Sequence, residues 1–151
     1  MRISKKAEYA MRALCALARR PARAILLIEE ISGSEHIPAK FLEQILLELR
    51  RADLLRSKRG LGGGYQLNRK PAEIPLAEVI RIIDGPFEPI SCTGPDPEKF
   101  GHGTCECGAP GGCGIGRTFT DLQRQVNAFL GQTTIADVIA GEHRSELSFD
   151  I

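Results

Sequence analysis

Along most of the chain, apolar residues recur at three- and four-residue steps, the spacing that puts them on one side of a helix. Ala7, Ala10, Met11, Leu14, Leu17 and Ala18 form the first stripe, with Ser4 placed to cap the helix and Pro21 to stop it after about Arg20. A short second helix is predicted from Leu27 to Gly33 or Ser34, followed by a turn at His36-Ile37-Pro38 in which His36 is a polar turn residue. From Pro38, Phe41, Leu42, Ile45, Leu46 and Leu49 give a third stripe, leaving Lys40, Glu43, Gln44, Arg50 and Arg51 on the other face and Leu47 as its apolar misfit. Leu76, Val79, Ile80 and Ile83 predict a helix that starts near Pro75 and stops at Asp84-Gly85-Pro86. Ile115, Phe119, Leu122, Val126 and Phe129 alternate four- and three-residue steps, a heptad seam narrower than a core face, and a seam needs a partner helix. Ile135, Val138 and Ile139 suggest a short last helix, and Glu142 to Ile151 reads as a tail.

Two stretches break this helical period. Arg56 to Leu67 reads as two short strands around a flexible turn, because Gly62, Gly63 and Gly64 permit the positive φ angles a hairpin needs; Lys58 and Arg59 then stand at the tip. Between Pro86 and Gly116 the chain holds eight glycines, five prolines and four of the five cysteines, a loop whose order depends on something bound. The expected fold is therefore mainly α with a small β-wing. A winged helix-turn-helix domain occupies 1–84, a cysteine-rich loop 85–116, and a long dimerisation helix with a tail 117–151.

Composition refines this picture through charge. The 151 residues are 42% hydrophobic, ordinary for one or two small globular domains, and the formal net charge is only +1. That balance hides an asymmetry: residues 1–70 carry 15 Lys and Arg against 7 Asp and Glu, net +8, and residues 71–151 carry 5 against 12, net −7. A basic half is the footprint of phosphate contact, and an acidic half faces away from it. No apolar run approaches the ~20 residues of a membrane span, and the start lacks a signal peptide's apolar core, so the reading is cytoplasmic, with no membrane partner.

A polar helix face beside a basic hairpin is the geometry that reads double-stranded DNA, the helix in the major groove and the wing on the backbone or minor groove. Gln44 pairs two-pronged with adenine and Arg59 suits a narrow minor groove, with Lys40 beside Gln44. Lys58, Arg50 and Arg51 suit phosphates, and Glu43 can bond a cytosine amine. Five cysteines in a reducing compartment point to metal or redox chemistry rather than to structural disulfides, although Cys15, near the first stripe, reads as a small core residue. Soft thiolates in a glycine-rich loop suit an iron-sulfur cluster; zinc or a thiol-disulfide switch is the alternative, Cys105-Glu106-Cys107 being tighter than a usual zinc knuckle. No nucleophile with a base and orienter, and no phosphate-binding glycine loop, suggests an enzyme.

Met1-Arg2-Ile3-Ser4 with Glu8-Tyr9-Ala10, the run Phe41 to Leu46, the wing Arg59 to Tyr65 and Leu76 to Ile80 closely resemble the IscR/NsrR/RirA family of bacterial winged-helix transcription regulators, many of which carry an iron-sulfur cluster. The resemblance covers nearly the whole chain. It implies a homodimer with crossed long helices, operator binding by the third helix and the wing, as repressor or activator, and a 2Fe-2S or 4Fe-4S cluster in the loop. Cys92, Cys107 and Cys113 match the family's three cysteines, with a lengthened gap after Cys92 that also contains Cys105. Where one branch has a histidine ligand, this chain has Gly116, so the resemblance leaves Glu8 of the partner subunit or Cys105 for the fourth position.

Overall fold

The computed structural model describes residues 2–94 and 113–146, with side chains up to 142. Helix α1, Lys5–Ala18, begins where the Ser4 hydroxyl accepts the Ala7 N–H at 3.0 Å, and the same hydroxyl and the Ser4 N–H donate to Asp84 at the end of a later helix. Ala7, Ala10, Ala13, Leu14 and Leu17 are buried in the core. Cys15 is buried with them, and burial pushes its thiol up to about 11, which fits a packing role.

Helices α2, Ile28–Glu35, and α3, Ala39–Arg51, form the helix-turn-helix. His36 makes the turn at φ +53, and the Ser32 hydroxyl donates to the Ile37 carbonyl at 2.6 Å. Strands β1, Leu55–Lys58, and β2, Gly64–Leu67, pair antiparallel with Leu55 opposite Leu67 and Lys58 opposite Gly64. A single 3-10 turn at Pro71–Glu73 leads to α4, Leu76–Asp84. After the arm from Gly85 to Gly94, α5 spans Gly114–Gln132 and α6 spans Ile135–Glu146. Helix α1 packs against α2, α3, α4 and α6, which makes it the centre of the domain.

Three details differ from the sequence expectation. The second helix runs through Gly33 to Glu35, and the first stops at Ala18, because Arg19 already caps it with N–H bonds to Cys15 and Leu17 carbonyls. Glu142 belongs to a helix rather than a tail. Helix α6 returns to α1 and the turn before α4, where Ile135 is fully buried, Ile135 N–H donates to Ile74 O at 3.0 Å, and Glu142 binds Arg19 at 2.8 Å. No period in the sequence reports such an ion pair. Residues 147–151 lie outside the described residues.

The glycines of the hairpin have separate duties. Gly60 and Gly62 take positive φ, while Gly63 does not; a Cβ on Gly63 would stand 2.5 Å from the Lys58 carbonyl oxygen. Gly64, at φ +143, lies against Leu26, whose N–H and carbonyl bridge to Tyr65 at 2.9 and 2.8 Å. A Cβ on Gly64 would meet the Leu26 carbonyl oxygen at 2.3 Å. Gly64→Ala is expected to destabilise the fold by about 1–3 kcal/mol, read as a lower urea midpoint. An unchanged midpoint would mean that the wing is not held by this bridge.

Candidate nucleic-acid interface and cysteine arm

On α3, Leu42, Ile45, Leu46 and Leu49 are buried, and Lys40, Glu43, Gln44, Arg50 and Arg51 are exposed, so the amphipathic pattern orients the helix as its sequence predicts. Leu47 is half-buried at the boundary. Lys58 and Arg59 are exposed where the strands end, and the Arg50 guanidinium donates to the Ser57 hydroxyl at 3.1 Å, fastening the last turn of α3 to the wing. A cleft of about 330 Å³ lies between the start of α2 and the wing, with Arg50, Lys58 and Arg59 on its wall. Leu61, at the hairpin tip, is fully exposed and was not singled out by the sequence.

Helix α1 braces α3 from behind. Tyr9 meets Phe41 edge-to-face with ring centroids 5.8 Å apart, and Lys6 pairs with Glu48 at 2.7 Å. Glu8 lies on the adjoining face of α1, both carboxylate oxygens 2.8 Å from the Lys5 ammonium and one 3.6 Å from Arg12. The Lys5 hydrogen bonds, aided by the charges of Lys5 and Arg12, hold the Glu8 carboxyl below its ordinary range. Lys5 and Arg12 also flank the Tyr9 ring, 5.2 and 5.6 Å from its centroid.

Two of the four loop cysteines fall within the described residues. Cys92 is half-buried on the arm before the loop, and Cys113 is the half-buried N-cap of α5; Cys105 and Cys107 lie outside them. Among the described residues no three His, Cys, Asp or Glu side chains form a metal-binding group. Gly116, one turn into α5, is buried.

Nothing in the residue pattern marks Gln123. Its Nε2 donates to Phe87 O at 2.6 Å and Gly94 O at 2.9 Å, tying both ends of the arm to α5, and its side chain is fully buried. Its Oε1 has no hydrogen-bond partner among the described residues, a condition that costs about 1–3 kcal/mol. Gly116, Thr120 and Gln123 are the buried positions of α5, one residue on from the apolar seam. The seam itself turns outward: Ile115 and Phe129 are each 66% exposed, and Phe119, Leu122 and Val126 are half-buried.

A helix-turn-helix with a basic wing, supported by a central helix, defines a winged-helix DNA-binding regulator. The chain belongs to the Rrf2 family, described as iron-dependent transcriptional regulators, whose pattern matches residues 3–141. An rrf2-like HTH-type transcriptional regulator of Rhodobacter capsulatus is 34% identical over 142 residues, covering 91% of this chain and 92% of that one. IscR of Cereibacter sphaeroides is 32% identical over 153 residues, covering 95% and 90%. Among solved structures, CymR, the global cysteine regulator of B. subtilis, is similar with a TM-score of 0.75 and 25% identity, covering 93% of this chain and 97% of that one. T. potens IscR shares the fold at a TM-score of 0.74 and 21% identity, covering 96% and 90%. These are regulators, and this chain is not an enzyme. No helix among the described residues is long and apolar enough to cross a membrane.

If Gln44 and Arg59 read bases, Gln44→Ala and Arg59→Ala should each weaken binding to a selected operator by about 1–3 kcal/mol, with little change on unrelated DNA. Lys58→Ala and Arg51→Ala should weaken both and flatten the salt dependence. Fluorescence anisotropy over a salt series distinguishes the two groups, and wild-type operator affinity in both Gln44→Ala and Arg59→Ala would refute their assignment.

Proposed function

We propose that this protein is a homodimeric, sequence-specific DNA-binding transcription regulator whose operator affinity is controlled by an iron-sulfur cluster. Lys40, Glu43, Gln44, Arg50, Arg51, Lys58 and Arg59 are its DNA-contacting set. Cys92, Cys107 and Cys113 would hold the cluster, with Glu8 of the partner subunit or Cys105 completing it. The observation that carries this reading is the placement of two thiols on one frame: Cys92 on an arm pinned to α5, and Cys113 at the first turn of the same helix. Thiolates are the ligands iron-sulfur clusters use, so the donor chemistry fits. IscR relatives in the same family point the same way.

The outward apolar seam of α5 supports the dimer, because a contiguous apolar stripe on a helix is covered when its symmetric copy packs against it. A two-fold dimer then presents two α3 helices to a roughly palindromic operator. When bound, the cluster supplies a centre that iron supply, oxidants or nitric oxide can alter.

The protein's own residues connect that centre to DNA in this reading. Glu8 is ionised and partly exposed, and its present partners are Lys5 and Arg12 on its own helix. Ligation by Glu8 would exchange those ion pairs on the helix that presents Lys6 and Tyr9 to α3. A carboxylate is a harder, weaker ligand to iron than a thiolate, so Glu8 would be the more readily exchanged ligand, with Lys5 and Arg12 as its partners when it is unligated.

The test is the visible absorption and Mössbauer spectrum of protein purified without oxygen. Cluster absorption is expected in the wild type and lost in Cys92→Ala, Cys107→Ala and Cys113→Ala, with a shifted spectrum in Glu8→Ala. A silent Glu8→Ala beside a changed Cys105→Ala would give the fourth place to Cys105. Colourless wild-type protein, or protein holding zinc, would replace the cluster by the zinc or thiol-disulfide reading.

A further inference from the structure

The polar side chains buried among the described residues are Thr93, Thr120 and Gln123, and all three fall at one junction, where the arm lies on α5. Thr93 sits in the arm beside Gly94, its hydroxyl donating to Ile90 O at 2.8 Å. Thr120, one turn before Gln123, donates to Gly116 O at 2.8 Å. Everywhere else the buried side chains are apolar. The two hydroxyls are satisfied within their own segments, so at this junction it is Gln123 whose bonds run from α5 to the arm, and such bonds fix geometry where apolar contacts tolerate sliding.

We propose that Gln123 is a positioning residue for Cys92. A single nitrogen, Nε2, uses both of its N–H groups on carbonyls seven residues apart, Phe87 and Gly94, and Cys92 lies between them. The carboxamide thus clips the Cys92 segment to α5 at both ends and fixes the register of Cys92 against Cys113, which starts that helix. A methionine would fill the same space without burying a carboxamide oxygen but would take the donors from the Phe87 and Gly94 carbonyls, so packing alone does not call for glutamine here; the buried Oε1, unpartnered among the described residues, is the cost of having the two donors. The clip also couples the two faces of α5. Displacement of Cys92 pulls on Gln123, and Gln123 is the residue immediately after Leu122 of the outward seam. A change at the cysteines therefore reaches the helix through a hydrogen-bonded link rather than through loose loop contact.

The use of Cys92 as a ligand rests on the proposed function; the clip does not. The test accordingly uses the reduced, metal-free full-length protein, with maleimide labelling of Cys92 and Cys113 resolved by mass spectrometry. In Gln123→Met, Cys92 labelling is expected to accelerate on the order of tenfold, the factor given by losing about 1.4 kcal/mol of net hydrogen bonding. Cys113 labelling and the unfolding temperature should stay close to wild type. A folded Gln123→Met with wild-type Cys92 labelling overturns the proposal, and so does equal acceleration at Cys92 and Cys113, which would report general loosening of α5. Gln123→Glu provides a second arm should the methionine variant fail to fold, since a protonated carboxyl donates one bond in place of two and a carboxylate donates none. Its Cys92-to-Cys113 labelling ratio is expected above wild type, and a wild-type ratio counts against the clip. If the anaerobic protein proves colourless, the cluster assignment fails while this ratio still decides on Gln123.

Discussion

The packing around α1 is the constraint on which the rest of the molecule depends. Ala7, Ala10 and Ala13 are fully buried, and side chains that small let α2, α3, α4 and α6 close around one helix at short range. Helix α3 owes its orientation to that contact, through Tyr9 on Phe41 and Lys6 on Glu48. The last helix is drawn in by the same centre, with Arg19 holding Glu142 and Glu35 together. Because α1 touches nearly every other helix and also carries Glu8, a rearrangement on its exposed face has a short physical route to α3.

Helix α5 adds the second organising feature, a separation of roles between neighbouring stripes. Gly116, Thr120 and Gln123 are buried, with Gln123 bonded to the protein's own arm, and Ile115, Phe119, Leu122, Val126 and Phe129, one residue out of phase, are half-buried or exposed. The same helix thus meets the cysteine arm on one side and carries an apolar stripe on the other.

Much of this was legible because periodicity reports burial directly. The stripe on α1, the exposed and buried faces of α3, the glycine hairpin and the seam of α5 all follow from residue spacing. The extent of α6 did not, since its outer turns are held by the Arg19 to Glu142 ion pair and contain few apolar residues after Ile139. Gln123 was invisible for a related reason: between Leu122 and Arg124 it reads as a solvent position, and its partners are backbone carbonyls of a Gly- and Pro-rich arm, which have no side-chain signature. The division of duties among Gly60, Gly62, Gly63 and Gly64 likewise required coordinates, because composition shows that glycine is present and only geometry shows which ones lack room for a Cβ. For the ligand set, the sequence marks four loop cysteines, and the structure describes the two that flank the loop.

In the proposed function, the state of the cysteine site sets affinity for DNA. It is tested most directly by titrating a selected operator duplex, by anisotropy at fixed salt and without oxygen, with one preparation before and after a chelator strips its metal under reducing conditions. The two affinities are expected to differ by about 5- to 150-fold, the range of ordinary coupling between sites. Equal affinities for loaded and stripped protein, both able to bind the operator, would contradict it.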